Sequence, residues 1–204
     1  MFYCVVLDSV TPCRYSHPRQ DMHAQLGSAA ERRDGWQTSV LAPLYGRRDP
    51  KAWTEDINGV RLVALDNSTG EVSPEQVAFF SRTAETSPMP VLLLVHIPLY
   101  TPLLSGAIRG APFSRRPGAQ VEPAASTGAL CGDPDNPTTT AATQELIDAV
   151  GRCEKLAAVL SGHIHTAQAH AIGEHSGMQY VADAGAFGGY RVLDLVPKKT
   201  ATKL

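Results

Sequence analysis

Leu156-Ala-Ala-Val-Leu-Ser-Gly-His-Ile-His165 is an apolar run that stops abruptly in a glycine and two histidines. Its first five residues are continuously apolar rather than alternating, the pattern of a strand buried on both faces of a sheet. Val91-Leu-Leu-Leu-Val95 reads the same way and also ends in histidine, as Val95-His-Ile-Pro98. Val60-Arg-Leu-Val-Ala-Leu65 is a third, half-alternating strand, entered through the turn-like Asn58-Gly59. Between this strand and Val91 the residues predict a helix. Ser73 stands at the N-cap, Pro74 at the first helical position, and Gln76 completes a capping box. Val77, Phe80 and Ala84 share one face, and Ser87-Pro88 closes the element. Strand, helix and strand in this order make a βαβ unit, hence an α/β fold with a largely parallel sheet.

Working outward, a second helix is expected from about Thr140 to Glu154, with Leu146, Ile147 and Val150 on its buried stripe. It leads directly into Leu156. Met178–Ala182 and Tyr190–Val196 read as two further strands, separated by a turn region holding Gly185, Gly188 and Gly189. Thr101–Pro137 is rich in Pro, Gly, Ser and Arg and has no periodicity, so residues 101–137 read as one long loop, and loops of that length are usually functional or disordered. Met1–Asp8 reads as a strand; it lacks the basic lead-in of a signal peptide. The rest of the first 55 residues holds little periodic signal, and no internal repeat is visible.

A chain of 204 residues fits one domain, here 1–204, and 43% hydrophobic content supplies a core. With 18 Lys and Arg against 20 Asp and Glu, the net charge is -2, which argues against a general nucleic-acid binder. No apolar run reaches the roughly 20 residues that span a bilayer, so no membrane partner is expected. Cys4, Cys13, Cys131 and Cys153 show no Cys-x-x-Cys spacing, so neither a zinc finger nor a disulfide scaffold is indicated. The C-terminal Thr202-Lys-Leu204 differs by one residue from the Ser-Lys-Leu peroxisomal address, and the default expectation is the cytoplasm.

In an open α/β sheet, ligands collect at the carboxyl ends of the strands. If the two buried strands are parallel neighbours, His96, His163 and His165 converge on one edge. In extended backbone, His163 and His165 point to the same side about 6.5 Å apart, close enough to serve one metal or two adjacent ones. Imidazole suits zinc, iron, nickel and copper, and mixed nitrogen and oxygen sites extend this to manganese. A single histidine after an apolar strand is commonly a hydrogen-bonded rim residue. Gly162-His163-x-His165 after a second such strand makes the set a candidate metal site.

These stretches resemble a known family. Val159-Leu-Ser-Gly-His-Ile-His-Thr166 is similar to the Gly-His-x-His signature of the calcineurin-like metallophosphoesterases, and Leu94-Val-His-Ile-Pro-Leu99 to the block that precedes it. Gly59–Ser68 with Val72-Ser-Pro-Glu-Gln76 resembles the family's strand and Gln-containing helix, and Gly188-Gly-Tyr-Arg-Val-Leu193 its closing strand. The likeness covers residues 57–196. It implies a β-sandwich flanked by helices and two divalent ions, such as manganese, zinc, iron or magnesium. His96 and His163 would ligate one and His165 the other. The implied reaction is attack of an activated water on a small-molecule phosphomonoester or phosphodiester.

The family's earlier acidic blocks do not stand intact. Asp21-Met-His23 matches one by letters but follows no apolar strand, and Cys131-Gly-Asp-Pro-Asp-Asn136 falls in the wrong order and reads as a loop. By position, Tyr15–Asp21 takes the place of the third block, with His17 where the catalytic histidine falls and Ser16 in place of a ligand asparagine. Asp66-Asn67 reads as a turn that caps local amides. Without a bridging carboxylate, two dications a few ångströms apart repel. The chain is therefore either the C-terminal, N-terminally truncated part of a longer enzyme or a degenerate relative. If a half is absent, exposed strand edges predict marginal stability or homo-oligomerisation. Three functions stay open: a two-metal phosphoesterase, a non-catalytic binding or scaffold protein, and a mononuclear metal enzyme with a three-histidine set. His170 and His175 are expected at the surface. Arg109, Arg115 and Arg116 could meet phosphate oxygens, though loop arginines are commonly solvated.

Overall fold

Asn58 and Gly59 both take positive φ, 51° and 85°. This two-residue turn joins β1 (Ala52–Ile57) to β2 (Val60–Leu65) as an antiparallel hairpin, since such a turn matches the twist of the flanking strands. The computed structural model describes residues 49, 51–109, 130–164, 166–175, 177–183 and 189–196. The expected strand at Met1–Asp8, the motif-like stretches at Tyr15–His23, and Arg115 and Arg116 lie outside the described residues.

α1 (Pro74–Thr86) starts as its sequence dictates. The Gln76 amide donates to Ser73 Oγ at 3.3 Å, and the Ser73 amide donates to Gln76 Oε1 at 2.8 Å. Gln76 Nε2 also donates to the carbonyls of Lys51 and Asp66, at 2.9 and 2.8 Å, so one side chain ties the helix start to β1 and β2. At the other end, where the helix has no basic residue in its last turn, Lys155 Nζ donates to the carbonyls of Glu85 and Ser87. β3 (Val91–Leu94), α2 (Pro102–Arg109), α3 (Ala141–Arg152), β4 (Leu156–Ser161), β5 (Gln168–Ala171) and β6 (Met178–Val181) follow. Thr140 is the N-cap of α3, and Glu71 Oε2 accepts from the Thr140 amide at 2.8 Å, placing a carboxylate at the positive end of the helix.

The described residues thus form a mixed α/β structure with one six-stranded sheet, ordered β1-β2-β3-β4-β6-β5, and three helices. β2, β3, β4 and β6 run parallel, and antiparallel β1 and β5 close the two edges. One face, with Val63, Leu65, Val91, Leu93 and Val159, packs against Val77, Phe80 and Ala84 of α1 and Leu146 and Val150 of α3. Truncating one of these buried side chains, Leu146 for example, removes its transfer free energy and leaves a cavity, at a cost of about 2–5 kcal/mol. The other face, with Ala64, Leu92, Leu94, Ala158 and Leu160, meets Trp53, Leu193 and Leu195.

Four elements differ from the expectation: β1 and β5 stand where no strand is expected, and two more take another form. The start of the expected 101–137 loop is helix α2, with Leu104 and Ile108 buried against Leu130, Ile164 and Val181. Thr101 Oγ1 accepts from the Leu104 amide at 3.1 Å, and Pro102 takes the first helical position. Tyr190–Val196 alternates as a strand does but pairs with no strand among the described residues. Leu193 and Leu195 face the sheet while Tyr190, Val192 and Val196 are exposed. Arg191 Nε and Nη2 donate to the carbonyls of Val181 and Gln168, both at 2.8 Å. Alternation reports one buried side, and an extended segment laid across a sheet face satisfies it without a hydrogen-bonded ladder.

Candidate functional site

The carboxyl ends of β3 and β4 lie side by side because the strands are parallel neighbours in the sheet. Backbone bonds carry the pairing past the strands: the Val95 amide donates to Leu160 O at 3.1 Å, and the Gly162 amide to His96 O at 3.0 Å. Beyond Gly162 the chain turns sharply. His163 has φ 67°, in the left-handed region, and the Ile164 amide donates to Gly162 O at 2.8 Å. A non-glycine residue held there costs about 1–2 kcal/mol, a strain that surrounding structure must impose.

The result is a pair of imidazoles. His96 Nε2 and His163 Nδ1 are 3.2 Å apart, with ring centroids separated by 5.1 Å and planes at 71°. His96 is buried and His163 half-buried. One of these two nitrogens donates and the other accepts, so the contact fixes complementary tautomers. Two nitrogens that ligate one ion at about 2.0–2.2 Å stand about 3.0–3.4 Å apart on neighbouring vertices. The observed separation falls within that edge length, and an ion held between the two rings would have to displace the proton they share. His165 lies outside the described residues, and among those residues no group of three His, Cys, Asp or Glu side chains is arranged to hold a metal.

The segment that carries His96 is held from both sides. Asn67, fully buried after β2, accepts at Oδ1 from the amides of His96 and Ile97, at 3.0 and 3.1 Å, and donates from Nδ2 to Ile97 O at 2.7 Å. Gln179, fully buried on β6, accepts from the Leu99 amide at 2.8 Å and donates to Leu99 O at 2.9 Å. Cys131 lies against the same segment: its amide donates to Pro98 O, and its carbonyl accepts from the Tyr100 amide. Burial pushes the Cys131 thiol up to about 12, with Glu71 adding to the rise and a hydrogen bond with Asn67 opposing it.

The local-turn reading of Asp66-Asn67 holds for Asp66, whose Oδ1 accepts from the Ser68 amide at 3.0 Å. Asn67 instead reaches 30 residues along the chain. Neither it nor Gln179 carries a local signal that names its distant partner. Of the remaining histidines, His170 bonds to Gln168 Oε1 at 3.2 Å on the edge strand, and His175 is exposed. Arg109 ends α2. Cys131–Asn136 forms the turns that lead to α3, with Asp133 Oδ1 accepting from the Asp135 amide at 3.0 Å.

The class defined at this point is a mixed α/β protein with a histidine pair at the carboxyl ends of two central parallel strands. No described helix is long and apolar enough to cross a membrane. No family model matches the chain, and no curated protein matches it.

Proposed function

We propose that the chain is a metal-dependent phosphoester hydrolase of the calcineurin-like kind, acting on a small-molecule phosphomonoester or phosphodiester. The reading rests on one observation above the rest: His96 and His163, 67 residues apart in sequence, meet at 3.2 Å where two neighbouring parallel strands end. In this reading His96 and His163 hold one divalent ion and His165 a second, within a β-sandwich flanked by helices to which the described six-stranded sheet would contribute one layer. Bound there, manganese, zinc, iron or magnesium supplies a water of lowered pKa and neutralises charge on the phosphoryl oxygens. The chain's own residues supply two imidazole nitrogens at fixed separation. Burial of His96 excludes water from one side of the pair, which strengthens electrostatic contacts there.

The direct ring-to-ring bond favours a second reading. Two imidazoles that satisfy one another need no ion, and the chain is then a truncated or degenerate non-catalytic relative acting as a binding or scaffold protein. Metal content decides between the two. Chain purified in manganese and zinc is assayed by plasma mass spectrometry and for hydrolysis of para-nitrophenyl and bis-para-nitrophenyl phosphate. The hydrolase reading expects bound metal and metal-dependent release of nitrophenol, both lost in His163→Ala. A metal-free, inactive wild type refutes it in favour of the second.

A further inference from the structure

We propose that Asn67 is the positioning residue of the imidazole pair, an assignment that takes the pair as the working site of the proposed function. The side chain is fully buried, and besides its contact with the Cys131 thiol it makes three hydrogen bonds to the backbone of His96 and Ile97. Its two polar atoms have different duties. Oδ1 receives two amides that leave the end of β3 side by side, and Nδ2 engages the carbonyl of the second residue. Only a primary amide with its oxygen toward the amides meets this demand. A carboxylate would set a second oxygen against Ile97 O, and a hydroxyl would be too short to reach all three groups.

Both backbone groups of His96 are thereby committed. Its amide goes to Asn67, and its carbonyl accepts from Gly162, the residue before His163. Asn67 therefore fixes His96 on one side while the start of the His163 turn fixes it on the other. Gln179 offers a built-in comparison. It is equally buried and clamps backbone with the same amide chemistry, but it grips Leu99 rather than His96. A purely structural role predicts the same consequences for losing either amide. Positioning predicts different ones.

The test compares Asn67→Ala and Asn67→Thr with Gln179→Ala, each well below its melting temperature. The first readout is the hydrogen-bonded imidazole N–H of the His96–His163 pair, followed by proton NMR of the metal-free chain at pH 8. The second is affinity for cobalt(II), titrated by visible absorbance. Thermal stability is expected to fall in all three variants. The imidazole proton is expected to persist in Gln179→Ala and to vanish in the Asn67 variants. Cobalt affinity is expected to drop about tenfold or more only in the Asn67 variants, the scale seen when support of a metal-ligating histidine is lost. Retention of the imidazole proton in a folded Asn67 variant overturns the assignment. So does failure of both Asn67 variants to fold while Gln179→Ala folds, which would make Asn67 a determinant of the fold. A wild type that shows the imidazole proton but binds no cobalt counts against the hydrolase reading alone, because the NMR comparison still decides the role of Asn67.

Discussion

The Ile164 amide donates to the carbonyl of Gly162 at 2.8 Å, closing a three-residue turn that holds His163 at φ 67°. Glycine adopts that conformation without a side-chain penalty, and alanine does not. Both substitutions delete the ring and its contact with His96, so their difference isolates the backbone. His163→Gly is expected to be about 1 kcal/mol more stable than His163→Ala in urea melts. Equal stabilities would mean that the turn relaxes once the ring is gone.

Arg61 stands opposite Asp56 in the hairpin ladder and donates to both carboxylate oxygens, at 2.7 and 2.8 Å. The hydrogen bonds from Arg61 hold the Asp56 carboxyl below its ordinary range. A carboxyl with a depressed folded pKa contributes stability above its unfolded value, near 3.9, and loses it as the pH falls through the lower folded value. The stability gap between wild type and Arg61→Ala is therefore expected to be flat from neutral pH to about pH 5 and to close below that. Carboxyl NMR is expected to show Asp56 titrating at higher pH in the variant.

Cys131 and Cys153 are free thiols, and burial raises both, the first to about 12. The thiolate is the nucleophile, so a thiol held that high is inert near neutrality. Iodoacetamide at pH 8 followed by peptide mapping is expected to leave Cys131 unmodified in the folded chain and to label it in urea. Labelling at equal rates in both conditions would contradict the burial.

Gly173 has φ 76°, and a Cβ added there would run into the backbone of Gly151 in α3. Backbone cannot step aside as a flexible side chain can. Gly173→Ala is expected to cost about 2–5 kcal/mol by chemical denaturation, from left-handed strain plus overpacking. Gly59, at φ 85°, has open space around its added Cβ. Gly59→Ala is expected to cost only about 1 kcal/mol, and similar losses at both positions would refute the contact.

Much of the fold was legible wherever a local rule acts alone. The Ser73-Pro-Glu-Gln76 start, the Val77, Phe80 and Ala84 face, and the unbroken runs of β3 and β4 each carry their own signal. The same rule was present but masked at α2. Thr101-Pro102 repeats the Ser73-Pro74 pattern, yet the Pro, Gly and Ser around it dilute the periodicity of an eight-residue helix. β1 was hidden because an edge strand with Glu55 and Asp56 is only partly buried. At the site, strand-end position pointed to His96 and His163. The residues that hold His96 in place were not readable, since a buried amide reaching across 30 residues leaves no periodic trace.

The described sheet consists of two local halves. β1, β2, α1 and β3 follow one another in sequence, as do β4, β5 and β6, and each half forms a hairpin at its outer edge. Among the strands only the β3–β4 pairing joins them, after an excursion from Leu94 to Leu156. His96 belongs to the first half and His163 to the second, so the rings face each other across the seam. A ligand gripped by both rings would be a fastener, and its concentration would enter the melting temperature of the whole chain by mass action. Closing the seam carries the loop-closure entropy of that excursion, which occupancy would offset. Folding and the filling of such a site would then be linked equilibria.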